Sequence, residues 1–358
     1  MNYDNLQKRI INASRRKKSA IQAISRRSAL RIFNIDLSAQ TEVQYIDLGY
    51  LKSRIILKKI VHKAENYKIN RNSFIYEHNF NTKYFFKITD VVVNTEAGLV
   101  YANDNFGNLL LISESTEWPT EHTIIYSEKP PRRITSRVEH AALGLSNSGF
   151  AHLMVEDLPN LLSIKSKNKF LFYEKSSSLN NQIFDILKFK KNIVPKWIYV
   201  KELEMVSKEK DLGYLHPKNT NIIKGMKKNL IFPSLKNKSK FYISRTGSTR
   251  SLKQENEIQQ IFLELGFIVI YPEKLSLQEQ IITFANASVI AGIHGGGLFN
   301  ATWSNSCKVI ELMPINRINR CFEWQALVQG HSYDRIFFDE KNFSLKKLKS
   351  QVFSLNLR

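Results

Sequence analysis

Short apolar runs alternate with amphipathic segments in the last third of the chain. Four runs have the length and composition of buried strands, namely residues 240–244, 267–271, 288–293 and 307–312. Segment 254–265 has apolar residues at helical spacing and ends at Gly266, and segment 276–285 has the same spacing. Ser276 and Glu279 predict a capping box at the start of this second helix. Strands alternating with such helices predict a parallel sheet with right-handed crossovers.

The first two thirds of the chain have a less regular pattern. Residues 40–135 combine turns with strand-like runs such as 53–57, 84–88 and 108–112, and residues 140–200 alternate helices with strands such as 169–173 and 197–200. Segment 207–239 is rich in Lys, Asn, Pro and Gly, so we place the connection between two domains near 225–238. The predicted organisation is a basic amphipathic helix over 1–35, an α/β domain over 36–228, a Rossmann-like domain over 229–338, and a basic helix over 339–358 that could pack back on the α/β domain.

Polar side chains follow the predicted strands of the last third. Because ligands bind beyond the carboxyl ends of parallel strands, Arg245, Glu273, His294 and Glu311 are expected near one crevice. An arginine at a strand end can hold a diphosphate with both of its amino groups. A histidine there can bond a phosphate or a sugar, and a carboxylate can accept both hydroxyls of a ribose. The alternative for each charged residue is a surface ion pair.

Three successive glycines, residues 295–297, come directly after the third predicted strand. Glycine allows close approach of the backbone, and successive N–H groups can cradle an anion. A helix beginning near Leu298 would direct its positive end to the same place. A tight turn with no ligand is the alternative, and the loop matches neither the P-loop nor the dinucleotide-binding pattern. The candidate donor-binding set comprises Arg245, Arg250, Lys253, Glu273, His294, Gly295, Gly296, Gly297, Asn300 and Glu311.

The run 242–314 resembles glycosyltransferases of family 61. The matching pieces are 243–245, 256–257, 273–277, 278–281, 294–297 and 309–312, with Gly296 as a mild variation in the middle of the glycine motif. Upstream, Asn147 and His152 followed by residues 156–159 are similar to the acceptor-side motif of that family. The resemblance implies a GT-B arrangement, in which two Rossmann-like α/β domains face each other across a cleft, and inversion by direct displacement. Residues 1–140 show no match to the family.

The upstream motif supplies the candidate catalytic residues. On a helix, His152 and Glu156 are four residues apart and share a face, so one could accept the acceptor's hydroxyl proton while the other orients it. The sequence leaves open which of His152, Glu156 and Asp157 is the base, and Asn147 is the candidate acceptor-binding residue. The alternative is a helix of the first domain with His152 in its core.

The charge of the chain is strongly positive. Lys and Arg number 53 against 32 acidic residues, a formal charge of +21, which indicates an anionic partner such as phosphorylated substrates, a membrane face or nucleic acid. Residues 1–33 carry nine basic residues and one acid, so the predicted helix could lie on an anionic leaflet or be solvated against the domain behind it. No recognised nucleic-acid motif accompanies the charge, so nucleic acid is not the expected partner.

Together these features predict an inverting glycosyltransferase of bacterial surface-polysaccharide assembly, such as capsule or O-antigen. Its substrates would be a nucleotide-sugar donor, UDP-linked in the first instance, and a glycan or lipid-linked acceptor. No Asp-x-Asp motif occurs, which favours a metal-independent site with no cofactor. Two cysteines and no bilayer-length apolar run favour a cytoplasmic protein, peripheral on the inner membrane if its basic N-terminus binds lipid. The competing interpretations are a basic nucleic-acid-binding protein and a non-catalytic scaffold.

Overall fold

A computed structural model describes much of the chain. The described residues are 31–33, 44–45, 54–62, 65–71, 74–80, 83–103, 109–112, 131, 134–164, 166–208, 213–228, 238–247, 252–355 and 357. The strands are β1 Arg31–Phe33, β2 Gln44–Tyr45, β3 Arg54–His62, β4 Glu65–Arg71, β5 Phe74–Phe80, β6 Lys83–Asn94, β7 Leu99–Asn103, β8 Leu109–Ile112, β9 Arg137–Ala142, β10 Phe170–Tyr173, β11 Lys191–Val194, β12 Trp197–Val206, β13 Ser239–Ile243, β14 Ile268–Ile270, β15 Ala287–Ile293, β16 Lys308–Pro314 and β17 Ser332–Phe338.

The helices of the described residues lie mainly in the second half of the chain. Helix α1 spans residues 150–163 and consists of Phe150–His152, a π-helical turn Leu153–Asp157, and Leu158–Ser163. The others are α2 Ser178–Leu187, α3 Thr220–Lys228, α4 Glu255–Glu264, α5 Leu277–Ala285, α6 Cys321–Val328 and α7 Leu345–Phe353. Short 3-10 segments are Pro217–Asn219, Pro272–Lys274, Gly296–Trp303 and Ile315–Arg317. Within the described residues, no helix is long and apolar enough to cross a membrane.

The predicted parallel sheet near the C-terminus is confirmed. Its strand order is β14-β13-β15-β16-β17, and every neighbouring pair is parallel. Successive residues of β13 point to opposite faces: Phe241 and Ile243 pack in the core that contains α5, whereas Tyr242 packs in the core that contains α4 and α7. Helices therefore cover both faces of the sheet, as its continuous apolar strands require. The predicted capping box of Ser276 and Glu279 is also present at the start of α5.

The larger sheet is mixed, and the expected second Rossmann-like half is not confirmed. Its strand order is β1-β8-β7-β6-β12-β9-β10-β11, with β3 on β6 and β2 on β3, while β4 and β5 form a separate hairpin. β9 pairs parallel with β10 and β12, but β6 pairs antiparallel with β3, β7 and β12. The physical reason is local: a four-residue turn at 95–98 joins β6 to β7, and such a turn can only join antiparallel strands.

The two sheets share one hydrophobic core. Leu153 and Leu158 of α1 belong to the same buried cluster as Phe284 of α5 and Phe299 after β15. Phe150 also packs edge-on against Phe299, with ring centroids 6.0 Å apart. The first turn of α1 is therefore anchored on the loop that follows β15.

Three expectations about chain organisation change. Arg31–Phe33, expected at the end of a helix, is a strand paired with β8, and residues 1–30 lie outside the described residues. Residues 225–228, expected in the connection between domains, end α3, whereas 229–237 lie outside the described residues. The helix expected in 339–358 exists as α7 but packs on α4 and β17, because its buried residues Leu348 and Val352 belong to the C-terminal core.

Candidate functional site

A cleft of about 630 Å³ lies at the carboxyl edge of the parallel sheet. Loops after β13, β14 and β15 form most of its wall, as the topology of parallel strands predicts. The larger sheet's side contributes Phe150 of α1 and the start of α2. The lining residues are Phe150, Ser178, Leu179, Gln182, Ile243, Ser244, Arg245, Thr246, Gly247, Pro272, Glu273, Leu275, Leu277, Gln280, Ile293, Gly295, Gly296, Gly297 and Asn300.

The guanidinium of Arg245 is fixed in this cleft by the glycine loop. Its Nη1 donates to the carbonyl oxygen of His294, the residue before the glycines. A Cβ at Gly295 would lie 2.5 Å from Nη1 of Arg245 and 2.9 Å from its Cζ, so only glycine leaves room for this placement. At Gly296 the same Cβ would meet Ala151 of α1 at 3.6 Å, an ordinary contact. Arg245 and the glycines are thus brought together as predicted.

Glu255, which sequence reasoning missed, supports Arg245 from behind. Its Oε1 accepts hydrogen bonds from the backbone N–H of Arg245 at 2.9 Å and from the hydroxyl of Tyr242 at 3.0 Å. Burial and the Glu255 charge raise the pKa of Tyr242 well above its usual value, so the hydroxyl remains a donor. The sequence feature that could have identified Glu255 is its place as an acidic residue in the first turn of α4, the helix that follows β13.

The other predicted donor-binding residues divide into three groups. Glu273 and Asn300 line the cleft, and Asn300 is fully buried, donating to the Gly297 carbonyl and accepting from the Trp303 indole. Lys253 is exposed and outside the lining, and Arg250 lies outside the described residues. His294 and Glu311 lie beside the cleft, in a hydrogen-bond network of their own.

Two glutamines that sequence reasoning did not single out shape the cleft wall. Nε2 of Gln280 donates to the carbonyls of Pro272 and Leu275, at 2.9 and 3.2 Å, which fixes the loop after β14. Oε1 of Gln182, on α2, accepts from the backbone N–H of Leu277 at 2.6 Å. This hydrogen bond joins α2 to the first turn of α5 across the cleft.

His152 and Glu156 form a pair, as their spacing predicts. Nδ1 of His152 lies 3.1 Å from Oε1 of Glu156, and Glu156 is only 1% exposed. The same oxygen accepts from the backbone N–H of Gly213 at 2.7 Å. A carboxylate at Nδ1 favours the tautomer that carries its proton there, so Nε2 of the partly exposed imidazole is left as an acceptor.

Asp157 and Asn147 serve the fold in this structure. Asp157 is buried and bonds the Ser146 backbone N–H at 3.0 Å and the Lys208 ammonium at 2.9 Å. Oδ1 of Asn147 accepts from Asn180 at 2.9 Å, which ties it to α2. Of the three candidate bases, His152 is the one with substantial exposure, because Glu156 and Asp157 are enclosed.

A second histidine–carboxylate pair lies at the ends of β15 and β16. Nδ1 of His294 lies 2.7 Å from Oε1 of Glu311, which is fully buried. The Tyr333 hydroxyl donates to the other oxygen of Glu311, and Nε of Arg335 lies 3.5 Å from that oxygen. Burial and the Glu311 charge raise the pKa of Tyr333, which keeps its hydroxyl protonated.

Glu311 was expected to bind a ribose, but its position does not suit that role. Both of its oxygens are occupied within the protein, so it orients His294 instead. Tyr333 and Arg335 are two residues apart on β17 and therefore share a face of the sheet. They were not predicted, because the sequence of β17 alone does not show that β16 is its partner strand.

Residues 150–310 match the family model described as Glycosyltransferase 61. Over these residues the chain is similar to glycosyltransferase family 61. A comparison with curated proteins found no match. The family 61 segment begins at α1 and ends in β16, so it includes the His152–Glu156 pair, Arg245 and the glycine loop. Glu311 follows it directly, and the Tyr333 and Arg335 partners lie beyond it.

The two histidine pairs are linked through the start of α6. Gly213, the donor to Glu156, adopts φ +80, and a Cβ there would meet Cys321 Cβ at 3.3 Å. Next in sequence, Phe322 packs edge-on against His294 with ring centroids 5.2 Å apart. Burial and the Glu311 charge raise the pKa of the Cys321 thiol to about 12. Neither Cys307 nor Cys321 forms a disulfide, and both are buried.

Proposed function

We propose that this protein transfers a sugar from a nucleotide-sugar donor to a glycan or lipid-linked acceptor, with inversion and without a metal ion. The observation that carries the proposal is the guanidinium of Arg245, fixed by Gly295 and the His294 carbonyl in a cleft at the sheet's carboxyl edge. A cation held in place before the donor arrives stabilises the negative charge of a departing nucleoside diphosphate.

In the proposed reaction, the acceptor hydroxyl oxygen attacks the anomeric carbon and the bond from that carbon to the diphosphate oxygen breaks. The bonding electron pair leaves with the nucleoside diphosphate, whose charge Arg245 and the N–H groups of 295–297 take up. Nε2 of His152 accepts the hydroxyl proton, and Glu156 stabilises the resulting imidazolium. His294 contacts the donor phosphate or sugar. A single displacement of this kind inverts the anomeric configuration.

The first turn of α1 supports this division of roles. Phe150 lines the cleft and Ala151 abuts Gly296, so His152 follows directly after two residues that touch the donor side. Its Nδ1 is committed to Glu156. The helix therefore brings the imidazole of the proposed base next in sequence to residues of the donor side.

The finer parts of the proposal are a UDP-linked donor, an acceptor of bacterial surface polysaccharide such as capsule or O-antigen, and a cytoplasmic location. Apolar lining residues Leu179 and Leu275 suit the face of a nucleobase. The formal charge of +21 suits a diphosphate carrier or another anionic acceptor.

The proposal is tested by thermal-shift measurements with UDP, GDP, CMP, dTDP and ADP, each with and without EDTA. One nucleotide at about 100 times its dissociation constant should add about 2.7 kcal/mol of stability. The shift should survive EDTA and disappear in Arg245→Ala. Lys253→Ala is the matched control, since Lys253 is an exposed cation outside the cleft lining and should keep the shift. No shift with any nucleotide, or an unchanged shift in Arg245→Ala, would overturn the assignment.

A further inference from the structure

The segment that follows β16 leaves two isoleucines in solvent. Residues 315–320 are all exposed, which makes them the longest run of exposed residues in the described parts of the chain. We call this segment the rim loop. Ile315 is 49% exposed and Ile318 60% exposed, with Arg317 and Arg320 interleaved. Two large aliphatic side chains so close together in solvent are unfavourable unless something covers them.

The rim loop is held in this exposed form by its own polar residues. Asn316 and Arg317 both donate to the Glu340 carboxylate, at 3.0 and 2.9 Å. Nε of Arg320 donates to Glu323 at 2.8 Å. These bonds anchor both ends of the loop, so the isoleucines are kept away from the core.

The rim loop lies at the catalytic edge of the parallel sheet. β16, which ends in the loop, carries Glu311, the partner of His294. The helix that leaves the loop starts at Cys321, and Phe322 packs on His294. Whatever covers the loop is therefore brought next to the proposed reaction site.

We propose that the rim loop docks the protein on an anionic lipid surface, which rests on the proposed function because a lipid-linked acceptor lies in such a surface. Ile315 and Ile318 enter the boundary between head groups and acyl chains, and Arg317 and Arg320 lie at the level of the lipid phosphates. Both arginines are about half exposed in their ion pairs, at 48% and 56%, so each can reach a lipid phosphate while its ion pair keeps the loop in place.

Charge favours a membrane over a second copy of the chain. A two-fold contact through the rim loop would bring Arg317 and Arg320 of both copies together, and like charges repel. An anionic bilayer instead attracts them, along with the excess of 53 basic over 32 acidic residues. The occupant that matches both the aliphatic and the cationic residues is therefore an anionic leaflet.

The test is vesicle co-sedimentation of the full chain with phosphatidylcholine vesicles, with and without phosphatidylglycerol. Binding should require phosphatidylglycerol, and the double variant Ile315→Ser, Ile318→Ser should bind about tenfold more weakly or worse. Ile193→Ser is the matched control, because Ile193 is 69% exposed on β11 of the other sheet, and it should bind like the native chain. Equal binding by the double variant and the native chain would overturn the proposal.

A second measurement locates the contact independently of other basic segments. The Ile318→Trp variant should gain fluorescence that brominated lipids quench, whereas the added fluorescence of Ile193→Trp should not be quenched. Absence of quenching at position 318 would overturn docking by this loop, as would loss of a dimer in the double variant without any vesicle binding. The nucleotide thermal shift measured on the same variants should not change, so failure of docking is distinguishable from failure of the proposed transfer reaction.

Discussion

Two neighbouring acids on α1 have different surroundings and should behave differently when changed. Glu156→Gln removes the charge that orients His152, so we expect transfer to fall about 10²- to 10⁴-fold with little change in melting temperature. Asp157→Asn weakens a pair in which the side chains are 2% and 4% exposed, so it should cost up to about 3–5 kcal/mol of unfolding free energy. Transfer assays on soluble protein and urea unfolding separate the two effects; the reverse pattern would contradict both the orienting role of Glu156 and the structural role of Asp157.

Two neighbouring glycines give a second contrast. Gly295 has extended backbone angles, φ 165 and ψ 168, so alanine is conformationally acceptable there and fails only because its Cβ would displace Arg245. Gly295→Ala should therefore weaken the nucleotide thermal shift, because the end of the Arg245 side chain has to move. Gly296→Ala should retain it, since its Cβ meets Ala151 at an ordinary distance. Loss of the shift in both variants would show that the loop rejects any side chain for another reason.

At the residue scale the sequence predicts positions better than roles. Arg245 and the glycines could be placed because strand ends in a parallel sheet meet at one edge. The role of Glu311 could not be predicted, because it depends on Tyr333 and Arg335, which lie more than twenty residues further along the chain. The same limit applies to Glu156, whose second partner, Gly213, comes from 57 residues away.

At the element scale, the capping box of α5 gives a pH-dependent prediction. Hydrogen bonds from the Ser276 side chain and backbone lower the pKa of Glu279 from its usual 4.5. This contribution to stability is present above pH 4.5 and is lost as the pH falls through the lowered pKa. Ser276→Ala should therefore lower the melting temperature at neutral pH, and the difference should shrink in acid. Melting curves of both proteins between neutral and acidic pH check this.

Elements with strong local signals were predictable and those defined by distant pairing were not. Strands β13 to β16 and helices α4 and α5 follow apolar periods, a cap and a terminating Gly266, whereas α6 and β17 were not predicted. The mixed sheet escaped prediction because alternation along β6 and β12 does not reveal the direction of a partner strand. β1 shows this most clearly, since three residues in a basic segment become a strand only by pairing with β8.

At the scale of the whole molecule, the shared core predicts one unfolding transition. Phe299 is buried in the cluster that joins α1 to α5, so Phe299→Ala should cost about 3–5 kcal/mol and lower the midpoint of the whole molecule. Differential scanning calorimetry should show a single peak that moves without splitting. Two resolved peaks, with only one shifted, would mean that the two sheets unfold independently.

The labelling rate of the buried Cys321 thiol reports how often the contact between Gly213 and α6 opens. With its pKa raised to about 12, the thiol is almost entirely protonated near neutral pH and is inert towards disulfide reagents while it remains enclosed. In a Cys307→Ser background, the labelling rate of Cys321 therefore counts the transient openings of this contact. Slower labelling with nucleotide present would mean that donor binding holds closed the contact that links the two histidine pairs.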